Sequence, residues 1–215
     1  MRYLVPAYFR DVEGKTDWPF LEPVCRRLLQ DLLRHGTIAV EIQQPFLQLG
    51  RGERDVEAQQ QHARQHCSEF HIALLHTDGK GDPERAYRER IVPVAGCLRE
   101  ATGARVVGVI PVHETEAWML CDGDALRASL GTRLQDHDLE LQSAGQLESC
   151  DDPKGLLDAA CAKAYSGRRG RRGRKPPRED LGERVDLEAL RRLQAFRRFE
   201  ARLRQALVEL DFLPA

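Results

Sequence analysis

Three clusters of acidic residues occur along the N-terminal part of the chain, and their side chains are of a kind that binds metal ions. They are the segments 11–17 (DVEGKTD), 76–82 (HTDGKGD) and 113–118 (HETEAW). Carboxylates that lie within several ångströms of one another repel unless they share a cation, so such clusters commonly bind a hard metal ion such as Mg²⁺. A bound Mg²⁺ can activate water and stabilise the charge that develops on a phosphoryl group.

Each cluster follows a segment that has the pattern of a buried strand. Four such segments are present, 3–9, 37–43, 70–76 and 105–112, and helical periodicity occurs at 17–35, 53–67, 82–101 and from 115 onward. This alternation predicts an α/β fold with a mostly parallel sheet of four strands, or slightly more, and helices on both faces. Ligands bind such Rossmann-like sheets beyond the carboxyl ends of the strands, which is where the acids lie.

The remaining residues have a looser, mainly helical pattern. We place an α/β core at 1–122 and a helical extension at 123–215, packed on the core as one unit. Within the extension, Asp152-Pro153 is a typical helix start. The last predicted helix places apolar residues from Leu193 to Leu210 on one face.

Charge is unevenly distributed along the 215 residues. The net charge is −1, from 33 basic and 34 acidic side chains, which rules out binding to nucleic acid by global charge alone. Residues 163–204 nevertheless contain 15 basic and 6 acidic side chains, so the rest of the chain is strongly acidic. Within this region lies the basic segment, residues 166–178 (SGRRGRRGRKPPR).

Other classes of protein do not fit the sequence. It has no apolar run of the roughly 18 residues that span a bilayer and no secretory signal pattern at its first residues. The six cysteines never occur as CxxC, so we expect reduced cysteines rather than a zinc ribbon or a disulfide framework. These observations predict a cytoplasmic protein without a membrane partner.

Some of the acids also have a structural explanation. Asp82 precedes a proline and is a good helix cap, and Glu114 and Glu116 open a helix at its positive end, where acids are favoured. Glu13 and Asp78 lie beside glycine at strand ends and have no evident capping role, so we expect both to be functional. Trp118, at a helix start, is expected in the core rather than as a platform for stacking bases.

In this order the strand-end acids resemble those of the Toprim domain, the metal-binding catalytic module shared by topoisomerases, primases and overcoming-lysogenization-defect nucleases. In that family a Glu follows the first strand and an Asp-x-Asp pair follows a later one. Here Glu13 lies in the first motif, 12–17 (VEGKTD), which is followed by Phe20-Leu21, and Asp78 ends the second motif, 76–78 (HTD).

The chain more closely resembles a bacterial family catalogued as a domain of unknown function and regarded as Toprim-like. The similar segments span most of the chain: Glu13-Gly14-x-Thr16-Asp17, Pro111-Val112-x-Glu114-Thr115-Glu116-Ala117-Trp118, Asp152-Pro153-Lys154 and Leu181-Gly182-Glu183-Arg184. This resemblance implies a Toprim-like core and, by analogy, hydrolysis of a phosphodiester.

The resemblance also implies roles for individual residues. Glu13 would act as a metal ligand or general acid/base, and Asp78 as the principal ligand of Mg²⁺ or Mn²⁺. The other implied site residues are the metal ligands Asp82 and Glu116 and the phosphate-neutralising lysines Lys80 and Lys154. The basic segment would bind the nucleic-acid backbone by counterion release, through Arg168, Arg169, Arg171, Arg172, Arg174 and Lys175.

One position departs from the Toprim pattern. The second aspartate of the pair would fall at position 80, where this sequence has a lysine. Asp82 could supply the missing ligand from a shifted loop, Glu116 could supply it, or the site could bind metal poorly. Lys80 could instead contact the scissile phosphate as a point charge.

Three functions are compatible with these residues. The first is a Mg²⁺-dependent nuclease acting on DNA or RNA in phage defence or repair, with an ATPase partner, since proteins of the resembled families are often paired with one. The second is a non-catalytic nucleic-acid-binding or adaptor subunit with a degenerate Toprim site. The third is a phosphohydrolase or nucleotidyl transferase that acts on a small nucleotide. Convergence of Glu13, Asp78 and one further acid within about 5 Å would favour a metal site.

Overall fold

The computed structural model describes residues 1–9, 17–34, 36, 38–49, 55–66, 68–166 and 175–214. The strands in these residues are β1 (Arg2–Leu4), β2 (Pro6–Phe9), β3 (Val40–Ile42), β4 (Leu47–Leu49), β5 (Ile72–His76) and β6 (Arg105–Val109). Four of them form a parallel sheet in the order β4-β2-β5-β6, and β1 pairs in parallel with β3. The predicted α/β fold with a mostly parallel sheet is thus confirmed.

Helices account for most of the remaining described chain. They are α1 (Trp18–Arg34), α2 (Val56–His66), α3 (Pro83–Ala86), α4 (Val92–Thr102), α5 (Glu116–Leu120), α6 (Gly123–Leu130), α7 (Ala144–Glu148), α8 (Pro153–Ala164), α9 (Arg178–Arg184), α10 (Leu187–Arg191) and α11 (Gln194–Glu209). A single π-helical turn, Tyr87–Ile91, joins α3 to α4, so the helix predicted over 82–101 is continuous in space but not uniform in pitch.

The sheet is covered on both faces, as predicted. Alternate residues of β5 point to opposite sides, because side chains alternate along a strand. Ile72 and Leu74 belong to the core that also contains α1 and α11, whereas Ala73 and Leu75 belong to a second core that contains residues of α2 and α4. All four side chains are buried, which explains the continuous apolar run of this strand.

The first predicted strand, 3–9, is divided at Val5. Pro6 has no amide hydrogen and cannot donate to a neighbouring strand. The Val5 amide instead donates to Nδ1 of His71 at 3.0 Å, and the Val5 carbonyl accepts from the His71 amide at 2.9 Å. One histidine therefore satisfies the backbone at the break between β1 and β2.

The predicted strand at 37–43 has a different place from the one expected. Its residues Val40–Ile42 form β3, which pairs with β1 and not with the four-stranded sheet. The edge of that sheet is β4, in which Leu47 pairs with Ala7. β4 has three residues, too few for its alternation to be recognised in the sequence.

Two predicted helix starts are confirmed by their caps. The Asp82 side chain accepts a hydrogen bond from the Arg85 amide at 2.9 Å, and the Asp152 side chain accepts one from the Gly155 amide at 2.7 Å. Each aspartate precedes a proline at the first helical position, which has no amide that needs a partner.

The C-terminal helix packs directly against the sheet. α11 contacts β6, and its residues Phe196 and Phe199 lie against the indole of Trp118 with ring centroids 5.2 and 6.2 Å away. Trp118 is 1% exposed, so it is a core residue, as predicted. Together the three rings join the last helix to the helix that follows β6.

Two further predictions can be compared with the described residues. No helix within them is long and apolar enough to cross a membrane. Five cysteines lie within them, and none forms a disulfide: Cys25, Cys97, Cys121, Cys150 and Cys161.

Candidate functional site

The carboxyl ends of β2, β5 and β6 meet at one edge of the sheet, because the three strands are adjacent and parallel. Three segments follow these ends: residues 10–17, 77–82 and 110–115. They correspond to the three acidic clusters of the sequence. Glu13, in the first segment, lies outside the described residues, whereas Asp17 lies within them and immediately precedes α1.

The segment after β5 is held tightly against the segment after β6. The Gly79 amide donates to the Pro111 carbonyl at 3.1 Å, and the Gly81 amide donates to the Val112 carbonyl at 2.8 Å. A Cβ atom on Gly79 would lie 2.5 Å from the Val112 carbonyl oxygen and closer still to that of Pro111, so only glycine allows this approach. The two segments thus form one polar surface at the sheet edge.

Lys80 has an uncommon backbone conformation on this surface. Its φ angle is +48°, in the left-handed region that non-glycine residues rarely adopt, and Gly81 follows at +86°. Such conformations persist only where surrounding contacts impose them, and they occur often at functional sites. Lys80 is exposed and stands two positions after Asp78 in the sequence.

A cavity of about 270 Å³ opens beside Asp78. Its wall carries positive and negative side chains in close proximity: the lysine Lys80, the arginines Arg85 and Arg90, and the acids Asp78, Asp82 and Glu89. Arg85 also forms an ion pair with Glu89 at 2.9 Å. Basic groups that lie beside a strand-end carboxylate are suited to a phosphate group held next to a metal ion.

Behind this surface lies a group of buried polar side chains, which we call the polar cluster. Four of its members are less than 9% exposed. The polar cluster includes residues from all three strand ends, because its members follow β2, end β5 or follow β6. Its members are Asp17, His76, Thr115, Glu116 and Arg178.

Arg178 connects two carboxylates of the polar cluster. Its guanidinium donates one hydrogen bond to Asp17 Oδ1 and another to Glu116 Oε1, the second at 2.8 Å. The three side chains are only 13%, 11% and 8% exposed, so both ion pairs are largely shielded from water. A planar guanidinium suits this arrangement, because its donors point in fixed directions toward two acceptors.

The polar cluster contains two carboxylates and one guanidinium. Burial raises the pKa of Asp17, and the nearby Glu116 carboxylate raises it further. His76 and Arg178 act in the opposite direction and lower the pKa of Asp17. Positive groups beside the two carboxylates therefore favour their charged forms in this buried position.

His76 links the polar cluster to Asp78. Its Nε2 atom lies 3.0 Å from the Thr115 hydroxyl and 3.6 Å from Asp78 Oδ1. Thr115 precedes Glu116, so a continuous line of polar groups runs from Arg178 to the carboxylate that faces the cavity. His76 is the last residue of β5 and is only 4% exposed, so its imidazole is buried next to Thr115 and Asp78.

The described residues do not by themselves form a metal site. No three His, Cys, Asp or Glu side chains among them lie close enough together to hold a metal ion. Asp82 caps α3 and Glu116 is bound by Arg178, so each already has a partner within the protein. Glu114 Oε2, in the segment after β6, is buried and has no hydrogen-bond partner among the described residues, which is compatible with a cation at this edge.

The other predicted site residues lie farther along the chain. Lys154 is an exposed residue in the first turn of α8. That turn lies near the same sheet edge, because His113 Nε2 is 3.8 Å from Asp151 Oδ1. Lys175 pairs with Asp158 of α8 at 3.3 Å. Arg168, Arg169, Arg171, Arg172 and Arg174 lie outside the described residues.

Arg178, Asp17 and His76 were not predicted from the sequence to be members of one site. Asp17 and His76 lie within two of the acidic clusters of the sequence, but the sequence assigns neither of them a role in the site. Arg178 was counted only as the last residue of the basic segment. The only local signal was its position directly after Pro176-Pro177, a pair that ends a loop and begins a helix.

The fold and this site define a class of protein: a parallel α/β protein with a polar, partly acidic site at the carboxyl edge of its sheet. The model of the family described as a domain of unknown function (DUF4276) matches residues 12–204. The chain therefore belongs to this family. No curated protein and no solved structure matches the chain significantly.

Proposed function

We propose that this protein is a Toprim-like, Mg²⁺-dependent nuclease that hydrolyses phosphodiester bonds of DNA or RNA. The observation that carries the proposal is the cavity at the end of β5, where Asp78 shares the wall with three basic side chains, Lys80, Arg85 and Arg90, and with the acids Asp82 and Glu89. A phosphate needs positive charge around it, and a metal ion needs a carboxylate beside that phosphate. Phage defence or repair with an ATPase partner is the setting that the Toprim resemblance suggests.

In this proposal Asp78 and Glu13 would hold Mg²⁺, or Mn²⁺ in its place. The donor chemistry fits, because carboxylate oxygens are preferred ligands of both ions. The bound ion would lower the pKa of water and stabilise charge on the phosphoryl oxygens. Asp82 and Glu116 complete the ligand set only if their present partners, the Arg85 amide and Arg178, release them.

The residues around the cavity would bind and orient the substrate. Lys80 and Arg90 would contact phosphate oxygens, with Lys80 acting as a compact point charge. His76 would hold Asp78 in one orientation through the contact between Nε2 and Oδ1. Glu13 would accept a proton from water or return one to the leaving oxygen. Lys154 would add positive charge from the first turn of α8.

The basic segment would supply affinity for the nucleic-acid backbone. Its arginines and Lys175 lie between α8 and α9, and α9 begins at the site itself. Counterion release makes such binding independent of sequence and sensitive to salt.

A cleavage assay tests the proposal. Plasmid and single- and double-stranded oligonucleotides are incubated with wild type, Glu13→Gln, Asp78→Asn and the control Glu57→Gln, which changes an exposed acid of α2. With Mg²⁺ or Mn²⁺ we expect cleavage by wild type and the control, abolished by a chelator. Each site variant should lose activity by about 10²-fold or more, as expected when a ligand or general acid/base is removed. Equal cleavage by wild type and both site variants would reject this site.

A second candidate function is favoured by the partners of Asp82 and Glu116. Because both carboxylates are already engaged, the protein could be a nucleic-acid-binding or adaptor subunit that keeps the Toprim-like fold without catalysis. The same experiment distinguishes the two functions. An adaptor would bind the oligonucleotides without cleaving them, with equal affinity in wild type and Asp78→Asn.

A further inference from the structure

β6 forms one edge of the four-stranded sheet, and within the described part of the chain it pairs with β5 alone. Its two ends face β5, because the Arg105 amide donates to the His71 carbonyl at 3.0 Å and the Val109 carbonyl accepts at 3.3 Å from the amide that follows β5. Alternate residues of such a strand direct their backbone groups to opposite sides. The amides and carbonyls of Val106 and Gly108 therefore point away from β5, toward the free edge of the sheet.

A groove runs along this free edge, and we call it the β6 groove. It consists of a cavity of about 110 Å³ beside Val106 and a smaller cavity beside Gly108. One wall is formed by α3, the π-helical turn and α4, and the other wall is formed by α11. Val106 is partly exposed and lines the wider cavity together with Ala95 and Ala206, two small side chains that leave room beside the strand.

The β6 groove carries a surplus of positive charge. Among the described residues that line it, four are arginines and two are glutamates: Arg99, Arg105, Arg198 and Arg202 against Glu84 and Glu209. A second copy of this chain would bring the same surplus to the edge and would be repelled. Acidic side chains, in contrast, complement the charge of the groove.

The narrower part of the β6 groove is crossed by ion pairs between its walls. Glu84 of α3 lies 3.5 Å from Arg198 and 3.3 Å from Arg202, both on α11. The Arg202 guanidinium also lies over the ring of Tyr87, 3.7 Å from its centroid. The three ion-paired side chains are 27–50% exposed, so their pairing is weak and can be exchanged. A carboxylate on a ligand would compete with Glu84 for both arginines.

We propose that the β6 groove binds an extended, acidic segment of a partner protein, which adds to the sheet as a further strand beside β6. A peptide backbone supplies both the donors and the acceptors that Val106 and Gly108 require, whereas the phosphates of a nucleic acid only accept. The inference does not depend on the proposed function, since none of the residues assigned there to metal binding or hydrolysis lines the groove.

Fluorescence anisotropy with a labelled octapeptide of alternating Glu and Thr tests this inference on the full chain. Arg99→Gln and Arg202→Gln should each weaken binding by about twofold to fivefold, the effect of losing a solvent-exposed ion pair. Glu84→Gln should tighten binding by a similar factor, because it removes the competitor for Arg198 and Arg202. The control is Arg204→Gln, an exposed residue of α11 that lines neither cavity, and it should bind the peptide as wild type does.

Two further measurements separate strand addition from attraction between charges. The first is the same peptide with every backbone amide N-methylated, which keeps the charge and removes every donor, and its affinity for wild type should fall at least about tenfold. The second is Val106→Pro, which removes an amide that points away from β5 and leaves the pairing of β5 with β6 in place. This variant should bind the unmodified peptide about twofold to tenfold more weakly.

The methylated peptide is tested on wild type, so the experiment is decisive even if a variant does not fold. Equal binding of the methylated and unmodified peptides would show attraction between charges without strand addition and would overturn the inference. Absence of peptide binding to wild type, or binding that the groove substitutions leave unchanged, would also overturn it. An octathymidylate that displaces the peptide at a lower concentration than unlabelled peptide does would assign the groove to nucleic acid instead.

Discussion

At the scale of single residues, the site depends on the absence of a side chain at Gly79. This glycine lets the segment that carries Asp78 contact the carbonyls of Pro111 and Val112. The close approach aligns the segments that follow β5 and β6, and it brings His76 to Thr115. Gly79 therefore determines the geometry of the cavity although it has no functional group of its own.

Gly79→Ala should destabilise the protein. Its methyl group would collide with backbone carbonyls, which cannot rotate away as a flexible side chain can, so we expect a loss of about 1–3 kcal/mol in the free energy of unfolding. The control is Gly96→Ala in α4, where a Cβ meets nothing within 4 Å and alanine should stabilise by up to about 1 kcal/mol. Urea unfolding measures both. Equal effects of the two substitutions would contradict this explanation of Gly79.

At the scale of elements, the division between β1 and β2 depends on the protonation of one histidine. His71 Nδ1 accepts from the Val5 amide only when that nitrogen carries no proton. Partial burial, and secondarily the Arg2 guanidinium, lower the pKa of His71. The imidazole also forms a T-shaped contact with the Phe212 ring, with the ring centroids 5.6 Å apart.

The free energy of unfolding should fall on acidification for this reason. Between the lowered folded pKa and the ordinary value of about 6.5, the unfolded chain binds more protons than the native one. Stability is therefore complete above about pH 6.5 and is lost as the pH falls toward the folded pKa. Urea unfolding at several pH values should show a shallower slope for His71→Gln than for wild type.

The control for this measurement is His137→Gln, whose side chain is 81% exposed. It should retain the pH dependence of wild type, because it removes a surface side chain and leaves the hydrogen bond between the Val5 amide and His71 in place. The explanation fails if His71→Gln and His137→Gln have the same slope.

At the scale of the whole molecule, a net charge of −1 results from two regions of opposite sign. The strand ends of the N-terminal part carry the acids, and the region around the basic segment carries the surplus of positive charge. Arg178 is the point of contact between them, because it pairs with carboxylates that follow β2 and β6. The near-neutral total therefore results from an acidic and a basic region that meet at Arg178.

Neutralising the basic segment should weaken binding to nucleic acid. We predict that replacement of the six cations at 168–175 by serine lowers affinity for DNA or RNA and reduces the slope of log affinity against log salt, since each lost phosphate contact removes about 0.7–0.9 of that slope. Fluorescence anisotropy at several salt concentrations measures both quantities. Arg197→Ser combined with Arg204→Ser, on α11, is the control for general loss of charge. Unchanged affinity and slope in the segment variant would refute the assignment.

Local features were predictable from the sequence because neighbouring residues determine them. The apolar run of β5, the helix start at Asp82 and the amphipathic pattern of α11 each arise within a few residues of one another. The order of strands and acids along the chain was sufficient to predict a parallel sheet with polar groups at its carboxyl edge. Family membership over residues 12–204 agrees with the resemblance to a domain-of-unknown-function family.

Features that depend on distant residues were decided only by tertiary structure. Arg178 lies 161 residues from Asp17 and 62 from Glu116, and no periodicity or spacing connects them. The packing of α9 on α1 brings the Arg178 guanidinium to the two carboxylates. Carboxylates that are buried in this way need an opposite charge beside them. By itself the sequence determined which residues could do chemistry and at which strand ends they lie. The fold determined that two of those acids are held by an arginine from the segment proposed to bind nucleic acid.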